Sequence, residues 1–167
     1  EEEKDWGAMY GHLLVVVGED PANVEARLKL AQMYFLSGAW AEAEGQSKAL
    51  LKLAPEDSRV SLLAARVSLQ NGDLTAGRAA LAKSLKLDPE NIDAILVSSA
   101  LEAGDNLDKG LAILDEAIQR LPATKTVERR ELRERRIALL TQGKRFAEAE
   151  QGLAALSKDF PEEIVYP

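Results

Sequence analysis

Only His12 has a side chain that ordinarily titrates near neutrality, and it stands without the partners that chemistry would require. With no second histidine there is no H-E-x-x-H zinc pair, and no Ser-His-Asp set has independent support. Its place beside Met9 and Leu13 is that of a boundary residue on a helix. Cysteine is absent, which removes disulfides, thiolate metal sites and a thiol nucleophile together. The glycines fall singly and form no phosphate-cradling loop. The run Glu1-Glu2-Glu3-Lys4-Asp5 reads as an acidic terminus at a helix start rather than a cation site. No catalytic, metal-binding or cofactor-binding residue is expected, and no cofactor.

One charged stretch stands out. Between Lys125 and Arg145 there are eight basic residues against three acidic ones, a local excess of five in a chain of net charge −7. It reads either as a docking strip for an anionic polymer, acidic partner or lipid headgroup, or as a solvated helix face. The second reading is preferred, because Arg130–Glu134 and Glu131–Arg135 are spaced to pair one helical turn apart. On it, Arg129, Arg133 and Arg136 should be replaceable with little effect on stability.

These side chains need a scaffold, and the 34-residue period supplies one. Pro21, Pro55 and Pro89 are 34 residues apart, as are Asn23, Asp57 and Asn91, Trp6, Trp40 and Leu74, and Gly38 and Gly72. The register continues through Gly104, Leu107 and Pro122, then Gly143, Phe146 and Pro161. Asn or Asp caps a first helix, glycine ends it in the left-handed conformation, a bulky residue opens the second helix, and proline stops that one. The spacing predicts helices over 6–17, 24–37, 40–53, 58–71, 74–87, 92–103, 107–120, 126–142 and 146–159. Small residues at Ala31, Ala43, Ala65 and Gly77 would let paired helices approach closely.

Composition agrees. Hydrophobic residues make up 46%, enough for a buried core, while aromatics are only 5%, so Ala and Leu must do the packing. A pI near 4.9 makes nucleic acid an unlikely ligand. No apolar run reaches membrane-span length; the longest near the start is Leu13 to Val17. The first residue falls partway into a structural unit, so the chain is expected to be a piece of a longer protein.

The stretch Arg27-x-x-Leu30-Ala31-x-x-Tyr34, followed by Ala43-x-x-x-Ser47 and Pro55, resembles the tetratricopeptide repeat. It departs from that pattern at Arg27, where the family favours Trp, and at Ser47, where it favours Phe. The later units keep Ala64, Ala65, Gly77 and Leu81, then Leu101, Gly110 and Leu114, then Ala149 and Leu153. The resemblance implies an all-α fold, a right-handed α-solenoid of stacked antiparallel helix hairpins: a half-hairpin at 5–20, repeats at about 23–56, 57–90, 91–123 and 124–161, and a tail at 162–167. It implies a non-enzymatic protein–protein interaction scaffold or adaptor, and similarity to bacterial envelope scaffolds tilts the compartment toward the periplasm over the cytoplasm.

By the same resemblance the partner, a protein or peptide, would lie on the concave face. That face would comprise Leu28, Gln32, Phe35 and Leu36, then Leu62, Arg66, Leu69 and Gln70, then Ile95, Ser99 and Glu102. Leu28 and Leu62 read equally well as packing residues. Leu28 and Gln32 stand where a carboxylate clamp known in the family would place Lys and Asn, so that clamp is absent; the groove is mixed apolar around Arg66. The alternatives are a chaperone-like module sequestering one amphipathic helix, and an anionic-polymer or membrane-surface binder acting through 125–145. Apolar ends, at Trp6, Met9, Leu13 and Val16 and at Phe146, Ala149, Leu153 and Leu156, suggest weak self-association unless Ile164, Val165 and Tyr166 fold back over the last hairpin.

Overall fold

The computed structural model describes residues 6–160. The Glu1–Asp5 acidic run and the tail carrying Ile164, Val165 and Tyr166 lie outside the described residues. The chain divides into two compact units, Glu1–Pro89 and Glu90–Pro167. The first holds α1 (Trp6–Glu19), α2 (Val24–Leu36), α3 (Trp40–Leu53), α4 (Ser58–Gln70) and α5 (Leu74–Leu87). The second holds α6 (Ile92–Asp105), α7 (Leu107–Arg120), α8 (Thr126–Gln142) and α9 (Phe146–Asp159). Every described element is helical, and each lies within two residues of its predicted bounds.

The caps predicted at Asn23, Asp57 and Asn91 form, and Asp73, which was not predicted, caps α5 in the same way. Asn23, Asp73 and Asn91 each accept from the backbone N–H three residues on, at 3.0, 2.9 and 3.0 Å, and Asp57 accepts from Arg59 N–H at 2.8 Å. Gly38 and Gly72 both take φ +79°, the left-handed geometry that ends α2 and α4. The two later hairpins turn differently. α6 runs through Gly104 to Asp105, and Asn106 ends it while its side chain opens α7, accepting from Asp108 and Lys109 N–H. In the last hairpin Lys144, not Gly143, takes the left-handed conformation, with φ 59°. Gly143 answers a steric demand instead, since a Cβ there would collide with the Leu107 side chain.

Close approach governs the packing inside each hairpin. Ala31, Ala43 and Ala65 are fully buried. A Cβ on Gly77 would come within 2.5 Å of Leu69 Cδ2, and one on Gly110 would overlap Ala103. Around this seam Leu28, Leu50, Val60, Leu63 and Val67 make one core of the first unit, flanked by Tyr34 and Phe35. A second core joins Leu13 of α1 to Ala26 and Leu30 of α2, with Val16 and Met33 alongside.

Residues that depart from the repeat pattern find local solutions. Arg27 donates from Nε to the Pro21 carbonyl (2.5 Å) and from Nη1 to Gln46 Oε1 (2.6 Å), tying the start of α2 to α3. Ser84 Oγ donates to the Ser58 carbonyl (2.8 Å), linking α5 to α4. Ser61 is 1% exposed, and its hydroxyl has no hydrogen-bond partner among the described residues. Tyr34 meets Tyr10 edge-on, with hydroxyls 3.3 Å apart; that hydrogen bond and partial burial push the Tyr34 phenol up to about 12.

Two opposite stability changes follow. Ala31→Glu puts a carboxylate into a fully buried, close-packed seam, and is expected to cost several kcal/mol. Ser61→Ala removes an unsatisfied hydroxyl and is expected to be neutral or stabilising by up to about 1 kcal/mol. Thermal unfolding followed by circular dichroism reads both; an unchanged midpoint for Ala31→Glu would place Ala31 off the seam.

Candidate peptide-binding clefts

On α2, Gln32, Phe35 and Leu36 are spaced i, i+3, i+4 and so share one face of the last turn. Leu63 and Arg66, three apart on α4, face them, and the five enclose a shallow cleft of about 120 Å³. Phe35 is steadied by Trp40 at the start of α3, the rings meeting edge-on at 5.1 Å. Leu36 projects from the rim, 76% exposed, and Trp40 is also exposed. The result is an apolar shelf with one guanidinium, able to hold an apolar side chain and a neighbouring carboxylate.

Gln32, Phe35, Leu36 and Arg66 are therefore brought together as the resemblance implied. Leu28, Leu62, Ile95 and Ser99 are not available to a partner in this packing, each being at most 5% exposed. Leu28 belongs to the core, and Ser99 Oγ donates to the Leu96 carbonyl within its own helix. Leu69 is spent on covering Gly77, Gln70 is exposed but outside the cleft, and Glu102 lines no cleft described here. Leu63, at 4% exposure, backs the cleft as a core residue and is no more available than Leu62.

Sequence reasoning missed a larger cleft in the second unit. There Ala100, Ala103 and Gly104 of α6, Leu107 of α7, and Arg135, Leu139, Gln142 and Gly143 at the end of α8 enclose about 270 Å³. The signal was present in the repeat: two periods of 34 carry Gln32, Phe35 and Leu36 onto Ala100, Ala103 and Gly104. A further 230 Å³ lies between α7, α8 and α9, lined by Asp115, Ile118, Arg133, Arg136, Ile137, Gly152 and Ala155. Each is below the roughly 300–1,000 Å³ of pockets that enclose a small ligand, and suits one or two side chains of a peptide.

A family model described as tetratricopeptide repeat matches residues 13–67. Over those residues the chain is similar to the tetratricopeptide repeat. No curated protein matches it by sequence. Among solved structures it resembles the MamA protein, with TM-score 0.65 and 16% identity over 95% of this chain and 86% of that one. It also resembles pilF of Pseudomonas aeruginosa, with TM-score 0.69 and 19% identity over 87% of this chain and 64% of that one. A third is YrrB, described as a TPR protein with an unusual peptide-binding site, at TM-score 0.60 and 12% identity over 92% of this chain and 77% of that one. At these identities the likeness is one of fold: an all-α solenoid of helical hairpins. Tetratricopeptide folds generally serve as non-enzymatic scaffolds for protein–protein interaction.

The arginine-rich helix α8 is not a bare cationic face. Arg129 donates from Nη1 to the carbonyls of Ile118 and Leu121, both at 2.6 Å, satisfying acceptors left open where α7 ends. Arg133 pairs with Asp159 and Arg136 with Asp115, both at 2.7 Å. Arg130 pairs with Glu134 as the spacing predicts, and lies 5.6 Å from the centre of the Phe160 ring. Arg145 bridges Glu148 and Asp108, which holds the Glu148 carboxyl below the usual carboxylate range. The expected Glu131–Arg135 pair is not formed: Arg135 makes no ion pair among the described residues and lines the α6/α8 cleft instead. Long side chains reaching across to α7 and α9 explain why spacing within one helix missed these bonds.

Of the three arginines expected to be dispensable, Arg129 is thereby given a structural role, while the partly exposed pairs of Arg133 and Arg136 add modestly. Arg129→Gln strips two carbonyls of a charged donor and is expected to cost about 1–3 kcal/mol. Arg135→Gln should be within about 0.5 kcal/mol of the parent, as a surface change is. Urea unfolding of the two variants side by side decides the matter. Equal midpoints would return the strip to a merely solvated face.

Proposed function

We propose that the chain is an interaction module whose α2/α4 cleft binds a peptide segment of a partner protein, so that the repeats act as a scaffold or adaptor. The observation that carries this reading is the convergence of Gln32, Phe35, Leu36 and Arg66 around one open cleft. Leu36, at 76% exposure, presents an apolar anchor that the fold itself does not use. Arg66 at the same cleft favours a segment with an acidic residue beside its apolar one. The sequestered-helix alternative draws on the same surface and differs in requiring a single stoichiometric client. The polyanion alternative loses its support where Arg129, Arg130, Arg133, Arg136 and Arg145 are engaged within the fold.

A randomised twelve-residue peptide library displayed on phage and selected on the full chain tests the reading. Selected peptides should carry an apolar residue next to Asp or Glu. Leu36→Asp and Arg66→Glu should each weaken their binding by roughly tenfold or more, the loss expected at an anchor position, with the circular dichroism spectrum unchanged. Peptides indifferent to both substitutions would refute this cleft as the site.

A further inference from the structure

The 230 Å³ groove of the second unit is walled by two second helices, α7 and α9, with α8 as its floor. Its direction can be read from its bonds. Arg129 reaches the Ile118 and Leu121 carbonyls, Arg133 pairs with Asp159, and Arg136 pairs with Asp115. Passing along α8 from Arg133 to Ile137 is therefore passing from the end of α9 back toward Gly152, and from Ile118 back toward Asp115 on α7. Gly152, Ala155 and Asp159 follow i, i+3, i+7 and share one face of α9. Ile118, Ile137, Gly152 and Ala155 make the lining largely apolar, and a Cβ on Gly152 would press on Ile137 Cγ1 at 3.0 Å.

The chain leaves α9 at the mouth of this groove. Asp159, the last residue of α9, is bonded to Arg133, and the Phe160 ring lies 5.6 Å from the Arg130 guanidinium. Arg130, Arg133 and Ile137 follow i, i+3, i+7, so Phe160 sits over the face of α8 that floors the groove. Both groove arginines hold donors in reserve. Among the described residues Arg133 donates from Nη1 alone and Arg136 from Nε alone, whereas a guanidinium carries about five N–H donors. The sequence after Phe160 is Pro161-Glu162-Glu163-Ile164-Val165-Tyr166-Pro167. It sets two carboxylates before three apolar residues, the order in which the groove presents Arg133 at its mouth and Ile137 and Gly152 farther in. Reach is sufficient: four extended residues beyond Phe160 span up to roughly 13 Å, while Ala155 and Gly152 lie about 6 and 10 Å back along α9 from Asp159. We infer that the α7/α9 groove is filled in cis by residues 162–166, with Ile164 against Ile118, Ile137 and Ala155 and the two glutamates on Arg133 and Arg136. The groove belongs to the second unit alone, so this does not depend on the α2/α4 cleft.

Because the chain has no cysteine, a nitroxide on Pro167→Cys is the sole label. Paramagnetic broadening is read on the full nitrogen-15-labelled chain against the same sample after reduction with ascorbate. The amides of Asp115 and Ile118 on α7 and of Gly152 on α9 are expected to lose most of their intensity. Ile164→Asp in the labelled chain is expected to restore them, with the circular dichroism spectrum unchanged. The α7 amides decide, since a tail that only trails from α9 would broaden the last turn of α9 and nothing on α7. Broadening confined to that turn, or centred on Phe146 and Leu153, overturns the inference, as does α7 broadening that survives Ile164→Asp. A mixture of unlabelled-tail nitrogen-15 chain with nitroxide-bearing chain at natural isotope abundance separates the two sources of a tail. Broadening of α7 in that mixture assigns the groove to a second copy and overturns the cis assignment; sharp α7 amides there, beside broadened ones in the doubly labelled chain, support it.

Discussion

The distance between paired helices is the constraint on which everything else depends. Ala31, Ala43 and Ala65 are fully buried, and Gly77 and Gly110 sit where any side chain would strike Leu69 or Ala103. Because these positions are small, the backbones of a hairpin come close and the larger residues are displaced to either side, where Leu28, Leu50, Val60 and Leu63 form the core. The same displacement leaves Phe35, Leu36 and Trp40 at the turn, outside the seam and beside an open cleft. The surface available for a partner is thus a consequence of how tightly the hairpins close.

Charge is used in two ways. In the second unit most arginines of α8 serve as fasteners between helices, reaching Asp115, Asp159 and the carbonyls that end α7. In the first unit Arg59 bridges Glu25 and Asp57, binding the start of α4 to the start of α2 and holding both carboxyls below their ordinary range. Such partly exposed bonds add modestly to stability one by one. Their larger effect is to take charges out of circulation, so that an arginine facing a cleft becomes a distinguishing feature.

The hairpins were legible because their signals are local: a cap, a glycine and a proline act on their own few residues, and a fixed interval repeats them. What was less legible depends on helix phase. Leu28 and Leu62 share a helix face with residues that do reach a cleft, yet they point into the core, and one position of rotation decides which. Gly104 was readable as a turn residue from spacing alone; only the surrounding geometry shows that α6 continues through it. In α1, Trp6 and Met9 are exposed as their pattern suggested, whereas Leu13 is buried with Val16 packed beside it, and Leu14 and Val15 are exposed instead. At α9, Ala149 and Leu156 are buried and Phe146 is exposed. Arg129 could not have been assigned from sequence, since its acceptors are backbone carbonyls of another helix.

The central claim is that a partner is held in the cleft formed between the first helices of successive hairpins, α2 and α4. Amide chemical-shift mapping tests it without any substitution: the full chain, uniformly labelled with nitrogen-15, is titrated with a selected acidic–apolar peptide. The account predicts that the shifted amides belong to the residues around Gln32, Leu36 and Arg66, with α1 and the Arg133–Arg136 side of α8 unmoved. Shifts concentrated on Trp6, Leu14 and Val15, or on Arg133 and Arg136, with that cleft silent, would contradict it.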